Sequence, residues 1–142
     1  MKILVVHGEG FDKRGHTKVE VFGPETLEEI NHKIFQEAAN LNVEVEVVQS
    51  NDEQEVVTLL QRAHQQNVDA VLIGPGGFSV KDTGIPLAIS KLTMPVYEMH
   101  SSNPAQRDIT SRLTAVCTGM VCGCGYDGYV LLLRFLAGSK PA

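Results

Sequence analysis

The sequence predicts a doubly wound α/β domain, in which a parallel sheet of five strands carries helices on both faces. Short apolar runs of strand length recur along the chain, and segments with apolar residues at helical spacing alternate with them. Two of the runs are apolar along their whole length, which is typical of parallel strands buried on both faces. The length of 142 residues suits one domain, so we predict a single domain over residues 1–142.

The first strand is predicted at residues 2–6, where a run rich in β-branched side chains ends at His7 and Gly8. The next segment, residues 9–22, is polar and interrupted by glycine, which predicts a loop of about 14 residues. Loops of this length in a compact domain are usually functional or disordered.

The first long helix is predicted to begin after Thr26, whose hydroxyl is a suitable N-cap. Its apolar positions recur at helical spacing and are Leu27, Ile30, Ile34 and Ala38. Residues 43–48 then alternate valine with glutamate over most of their length, which predicts a strand with one solvated face near a sheet edge. Residues 49–53 end this strand and start the second helix.

The second half of the chain repeats the alternation. It predicts an apolar strand at residues 70–73, a short helix at 87–92, strands at 96–100 and 119–123, and a final helix at about 127–136. This order is typical of a flavodoxin-like fold, in which ligands bind beyond the carboxyl ends of the strands. We therefore expect residues 7–10, 74–78 and 100–103 to surround the site.

Composition excludes several classes of function. The net charge of -5 and the lack of a basic patch argue against nucleic-acid binding. No segment approaches the roughly 20 apolar residues that span a bilayer, and the first residues lack a signal-peptide pattern, so we expect a cytoplasmic protein that binds no membrane. Cys117, Cys122 and Cys124 lack the spacing of a zinc or redox pair, and we expect neither a metal nor a cofactor.

Glu98 and His100 are the first candidates for catalysis. They are two residues apart on a predicted strand, so their side chains share one face. A carboxylate beside an imidazole fixes its tautomer and raises its basicity. The alternative is a structural histidine, and the position at the carboxyl end of a strand favours a function.

Several groups near the predicted site suit a small carboxylate ligand. Ser101, Ser102 and Asn103 offer hydrogen bonds and Arg107 offers a charge, although turn and cap chemistry is the alternative. The glycines of the turn after the third strand leave backbone N–H groups free for an anion, or else form only a tight turn; they are Gly74, Gly76 and Gly77. The loop carries Arg14, His16 and Lys18, which suit an anionic ligand or a solvated surface.

Several stretches match one family in order. They are GPETLEEI at residues 23–30, QSNDEQE at 49–55, GPGGF at 74–78, EMHSSN at 98–103 and a glycine-rich segment at 119–128. They resemble the motifs of the type II 3-dehydroquinate dehydratases, or type II dehydroquinases, including that family's Q-S-N-x-E-G-E, N-P-G-A-Y and E-V-H-x-S-N. The resemblance runs over nearly the whole chain.

The resemblance implies a flavodoxin-like fold and self-association into a trimer that assembles into a dodecamer. It implies the loss of water from a cyclic hydroxy-ketone carboxylate without a metal or a Schiff base. In the family a tyrosine, made basic by a lid arginine, removes a proton next to the ketone, and a histidine protonates the departing hydroxyl. The matching binding and protonating half is Glu98, His100, the turn at Ser102 and Asn103, and Arg107.

The departures from the family fall on the other half of the site. Phe22 aligns with the catalytic tyrosine, and phenylalanine has no proton to exchange. Thr17 aligns with the family's lid arginine. The positions that align with asparagines of the family are His7, Gly10 and Gly74, and Val80 aligns with its substrate-binding histidine. We therefore expect no useful dehydroquinase activity, and Phe22 and Val80 should make the pocket more apolar.

Three interpretations follow. The first is a lyase acting on another small cyclic carboxylate or ketone, in which His100, oriented by Glu98, moves the proton and His16 or His7 replaces the lost base. The second is a non-catalytic relative that serves in binding or assembly. The third is dehydroquinase activity with a relocated base.

Overall fold

Five parallel strands form the centre of the structure, a computed structural model that describes residues 1–138. They are β1 (Lys2–Glu9), β2 (Glu44–Gln49), β3 (Ala70–Gly76), β4 (Val96–His100) and β5 (Gly119–Cys122). Their order is β2-β1-β3-β4-β5, and every neighbouring pair is parallel. This is the strand order of the flavodoxin-like fold, so the predicted fold class is confirmed. The single-domain prediction includes residues 139–142, which lie outside the described residues.

The helices are α1 (Val19–Phe22), α2 (Leu27–Asn40), α3 (Glu53–Arg62), α4 (Ile85–Ser90) and α5 (Asp127–Gly138). Thr26 caps α2 as predicted: its hydroxyl accepts a hydrogen bond from the Glu29 N–H, and the Glu29 carboxylate accepts one from the Thr26 N–H at 3.1 Å. The helix α4 begins two residues earlier than predicted, where Pro86 in its first turn supplies a helical φ.

Two hydrophobic cores cover the two faces of the sheet. Alternate residues of β1 supply both, with Leu4 and Val6 in the core beneath α3 and α4, and Ile3 and Val5 in the core beneath α2 and α5. The strand β2 lies at one edge, where its alternating pattern places it, and β5 lies at the other. The buried central strands thus hold the carboxyl ends of β1, β3 and β4 side by side.

The backbones of β1 and β3 stay together beyond the predicted strand ends. Glu9 pairs with Gly76, and a Cβ atom at Gly76 would lie 2.2 Å from the Glu9 carbonyl oxygen. Gly76 also has a φ of 56°, a conformation that favours glycine. The absence of a side chain at Gly76 therefore allows the two backbones to approach closely, and the long loop that follows β1 contains a 3₁₀ turn (Phe11–Lys13) and α1.

Candidate active site

A cavity of about 340 Å³ lies at the carboxyl ends of β1, β3 and β4, beneath the loop of residues 9–22. Nine of the predicted site residues line it: Arg14, Phe22, Gly76, Gly77, Val80, His100, Ser101, Ser102 and Arg107. Lys18 of the loop and Glu9 of the expected segment 7–10 also line it, together with Lys13, Ser79 and Met99, which the sequence analysis did not single out. The candidate site is therefore where the fold class predicts a ligand.

The Glu98–His100 pair is built as the spacing predicts. The His100 Nε2 lies 2.7 Å from Glu98 Oε2, and Glu98 is fully buried behind the cavity wall. Burial raises the pKa of Glu98, but hydrogen bonds from His100, Ser111 and Thr114 outweigh it, so its pKa lies below the ordinary value. An ionised Glu98 holds the proton of His100 on Nε2, which leaves Nδ1 to exchange a proton with a ligand.

Two hydroxyl groups complete the surroundings of Glu98. Ser111 Oγ donates to Oε2 at 2.5 Å, and Thr114 Oγ1 donates to Oε1 at 2.5 Å. Both residues lie in the irregular segment between β4 and β5, where no periodic pattern marked them. Their hydrogen bonds stabilise the ionised form of the buried Glu98 carboxylate without a permanent positive charge beside it, whether the His100 ring is neutral or protonated.

A second polar corner lies at the end of β4. Arg107 donates from Nη1 to Ser102 Oγ at 2.5 Å, and both residues line the cavity beside Ser101. Asn103 does not line it. Its Oδ1 accepts the Ala105 N–H at 3.2 Å and caps the 3₁₀ turn Pro104–Arg107, which is the cap alternative for this residue.

Gly74 also lies outside the cavity, unlike Gly76 and Gly77. A Cβ atom at Gly74 would lie 2.4 Å from the Tyr129 hydroxyl and 2.8 Å from the Phe11 ring. The missing side chain thus makes room for two aromatic core residues. The structure thus places Gly74 in the core beside the cavity and not in its lining, where the sequence analysis expected it.

Neither His7 nor His16 faces His100 across the cavity. His7 is fully buried beneath Phe11, with Nε2 2.8 Å from Asn31 Oδ1 and Nδ1 2.9 Å from the Tyr129 hydroxyl. Burial lowers the pKa of His7 to about 4, so the neutral ring donates from Nε2 to Asn31 and accepts from Tyr129. His16 is exposed on the loop and does not line the cavity. The structure therefore does not place either histidine where the lost base would be.

Arg14 is stacked between two aromatic rings at the cavity wall. Its guanidinium carbon lies 4.4 Å from the Phe11 ring centroid and 3.9 Å from that of Phe22. Arg107 approaches the Phe22 ring as well, at 5.7 Å. Although Thr17 occupies the position aligned with the family's lid arginine, an arginine from elsewhere in the loop lies beside the residue aligned with the tyrosine.

The charge around the cavity is mostly positive. Lys13, Arg14, Lys18 and Arg107 line it, and Glu9 is the one carboxylate among the described lining residues. Both oxygens of Glu9 lie near Lys81 Nζ, at 2.6 and 2.7 Å. A protein with a net charge of -5 thus concentrates cations where an anionic ligand would bind.

Other kinds of site find no support in residues 1–138. That part of the chain contains no group of three or more His, Cys, Asp or Glu side chains that could hold a metal ion. None of its helices has the length and apolar character needed to cross a bilayer. Cys117 is partly buried, and burial raises the pKa of its thiol to about 12.

Comparison with known proteins assigns the chain to a family. The family model described as Dehydroquinase class II matches residues 1–137. The 3-dehydroquinate dehydratase of Pelotomaculum thermopropionicum is 39% identical over 140 residues, which cover 96% of each chain. The type II dehydroquinase of Propionibacterium acnes superimposes with a TM-score of 0.92 at 28% identity, over 97% of each chain. A 3-dehydroquinate dehydratase-like protein from Bifidobacterium longum gives a TM-score of 0.74 at 26% identity over 99% of each chain. The family model, the sequence identity and the structural match agree, and the chain belongs to the class II dehydroquinase family.

Proposed function

We propose that this chain is a lyase that acts on a small cyclic carboxylate or ketone other than 3-dehydroquinate. One observation carries the proposal: the Glu98–His100 pair opens on a cavity that is also lined by Phe22, a residue that cannot exchange a proton. The acid of the reaction is kept, whereas the phenol that the family resemblance places opposite it is missing. The chemistry on that side of the ligand must therefore differ.

The retained half of the site would bind and protonate the ligand. Ser101, Ser102 and Arg107 would receive a ligand carboxylate at the end of β4, where a guanidinium and hydroxyl groups offer charge-assisted hydrogen bonds. His100 would give a proton from Nδ1 to the departing group. Glu98 would stabilise the imidazolium form before that transfer and hold the ring in place.

Glu9 is our candidate for the group that removes a proton. It lies at the end of β1, pairs with Gly76 of β3, and is separated from β4 by that strand. Neighbouring strands are about 4.8 Å apart, so the backbones at Glu9 and His100 are separated by roughly 10 Å, which is room for a small ring. A carboxylate can act as a general base, and Lys81 fixes its position.

Dehydration of 3-dehydroquinate by a relocated base is the second candidate. The observation that favours it is the name of the relatives, since proteins 36% and 39% identical to this chain are called 3-dehydroquinate dehydratase. A non-catalytic role in binding or assembly is the third candidate, and it predicts that His100 takes part in no reaction.

Self-association into a trimer or dodecamer is a further proposal, to be measured by analytical ultracentrifugation.

The test is an assay of the purified chain with 3-dehydroquinate, following the enone absorbance of the product, beside a thermal-shift screen of cyclic carboxylates. We expect no turnover of 3-dehydroquinate but a rise in Tm with another carboxylate, which Arg107→Ala abolishes and the exposed control Lys91→Ala keeps. Turnover that disappears in Glu9→Gln and His100→Ala would establish the second candidate instead. Failure of every carboxylate to raise Tm would leave the non-catalytic role.

A further inference from the structure

Arg14 is a buried cation without a counter-ion. Only 7% of its surface is exposed, and none of the ion pairs within the described residues includes it. Its Nη1 makes one long hydrogen bond of 3.4 Å to the Gly10 carbonyl, and its Nε has no hydrogen-bond partner. Burial lowers the pKa of Arg14, and the neighbouring Tyr126 is the first group that opposes this shift, followed by Tyr129 and Asp12. An unpaired buried charge is costly, so such a group points to a missing partner.

The residues around Arg14 contact the faces of its planar guanidinium but leave the N–H groups at its edge without strong hydrogen bonds. Phe11 and Phe22 cover the planar guanidinium, which supplies a cation–π contribution. The Tyr126 hydroxyl, buried near Arg14 and Ser101, also has no hydrogen-bond partner of normal geometry. The Arg14 Nε and the Tyr126 hydroxyl thus lie near each other without a hydrogen-bond partner of normal geometry, and Arg14 lines the cavity. The fork of guanidinium N–H groups matches the two oxygens of a carboxylate.

This position is separate from the polar corner formed by Ser102 and Arg107. Arg107 is already held by Ser102, whereas Arg14 belongs to the loop and is held by the two rings. The guanidinium carbons lie 3.9 and 5.7 Å from the same Phe22 centroid, so they are at most 9.6 Å apart. A small ring with substituents on either side can reach both. Glu9 cannot neutralise them because it is paired with Lys81.

We propose that Arg14 binds a second anionic group, so that the ligand of this cavity is a small dicarboxylate rather than a monocarboxylate. The inference rests on the proposed function, since it takes the first carboxylate to bind at Arg107. It adds a substrate class: a compact, flat or cyclic carbon skeleton that carries two carboxylates. The apolar lining of Phe11, Phe22, Val80 and Ile109 suits a skeleton with few hydroxyl groups.

The test compares benzoate with isophthalate, which share a ring and differ by one carboxylate, by titration calorimetry on the full chain. We expect isophthalate to bind about 10- to 100-fold more tightly than benzoate, the value of one charge-assisted hydrogen-bonded pair. In Arg14→Met this advantage should vanish, in Arg107→Met both ligands should weaken, and in the exposed control Lys91→Met neither should change. Phenyl phosphate, which carries its charge on one group, should bind more weakly than isophthalate.

A second measurement guards against a variant that fails to fold. If Arg14 is uncompensated, Arg14→Met should raise the Tm of the ligand-free chain by roughly 3 °C or more, because a costly buried charge is removed. A fall in Tm, an isophthalate advantage that survives in Arg14→Met, equal binding of phenyl phosphate, or no binding of isophthalate at about 10 mM would each overturn the inference. Isophthalate carries no leaving group, so its Arg14-dependent binding tests the dicarboxylate site alone. Such binding, if no cyclic carboxylate with a leaving group is turned over, would instead count against the proposed enzyme and leave the dicarboxylate site standing.

Discussion

Replacing Phe22 by tyrosine should create 3-dehydroquinate dehydratase activity. The substitution adds one hydroxyl group to a ring that lines the cavity and is partly exposed, so it leaves the core unchanged. The resemblance to the type II dehydroquinases places the base at this position. The acid that we propose, His100 held by Glu98, is already present.

Arg14 determines the expected magnitude. Its guanidinium carbon lies over the ring, 3.9 Å from the centroid. A phenolate oxygen on that ring would lie roughly 5 Å from the charge, where the attraction is about 3 kcal/mol at an effective dielectric of about 20. This lowers a tyrosine pKa by about two units and raises the ionised fraction near neutral pH by roughly 100-fold. A positioned general base contributes about 10²- to 10⁴-fold, so the gain should be at least about 100-fold over the parent chain.

The assay follows the enone absorbance of the product at saturating 3-dehydroquinate. The control Phe22→Leu changes the ring without adding a base and should stay inactive. The double variant Phe22→Tyr with Arg14→Met should lose most of the gain, because the phenol then keeps an ordinary pKa. A folded Phe22→Tyr chain without turnover, or a gain that is independent of Arg14, would refute this reasoning. Turnover by the parent chain equal to that of Phe22→Tyr would show that the base lies elsewhere.

Three further predictions concern titratable groups. The pKa of Glu98 is lowered, so its contribution to stability is present above its unfolded value of 4.5 and is lost as the pH falls through the folded pKa; urea unfolding of Glu98→Gln should show a shallower loss of stability below pH 4.5 than the parent chain. The pKa of His7 falls from 6.5 to about 4 on folding, so the folded state binds fewer protons than the unfolded state between these pH values, and the free energy of unfolding falls by about 3 kcal/mol as the pH drops from 6.5 to about 4. His7→Gln should remove this pH dependence of the free energy of unfolding, and an unchanged pH dependence would contradict the burial argument. The exposed Cys124 should react with a thiol reagent at pH 7.5 while Cys117, whose pKa is about 12, reacts only after unfolding; mass spectrometry of the labelled peptides checks this, and equal labelling would disprove it.

The fold was predictable because its signals are local. The capping box at Thr26 and Glu29, the alternation in β2 and the fully apolar runs of β1 and β3 each follow from short-range chemistry. The helix α1 was not predicted, because two of its four residues are valines that favour strands. It begins after Lys18, whose φ of 49° no residue pattern announces. None of its four residues is buried, so no apolar periodicity marks this turn in the sequence.

The site was predictable where its residues share one element. Glu98 and His100 lie on one strand face, so their spacing alone placed them together. Ser111 and Thr114 come from an irregular segment whose path depends on the folded sheet, and no spacing rule connects them to Glu98. His7 is a polar residue at the end of a strand, a position that indicates a ligand-binding role. Tyr129 and Asn31, from helices distant in the sequence, hydrogen-bond to its ring and make it part of the core. Long-range partners decide between these outcomes.

The state of Arg14 links the two halves of the site. A guanidinium buried between two rings loses solvation, and within residues 1–138 no carboxylate forms an ion pair with it. A purely structural residue at this position would be better replaced by an apolar side chain of similar size, because such replacements of buried charges are neutral or stabilising. The ring of Phe22 provides contact area but no proton acceptor. The two rings offset part of the cost of burying Arg14, and an anion in the cavity would offset more of it, so we expect ligand binding and the stability of the loop to rise together.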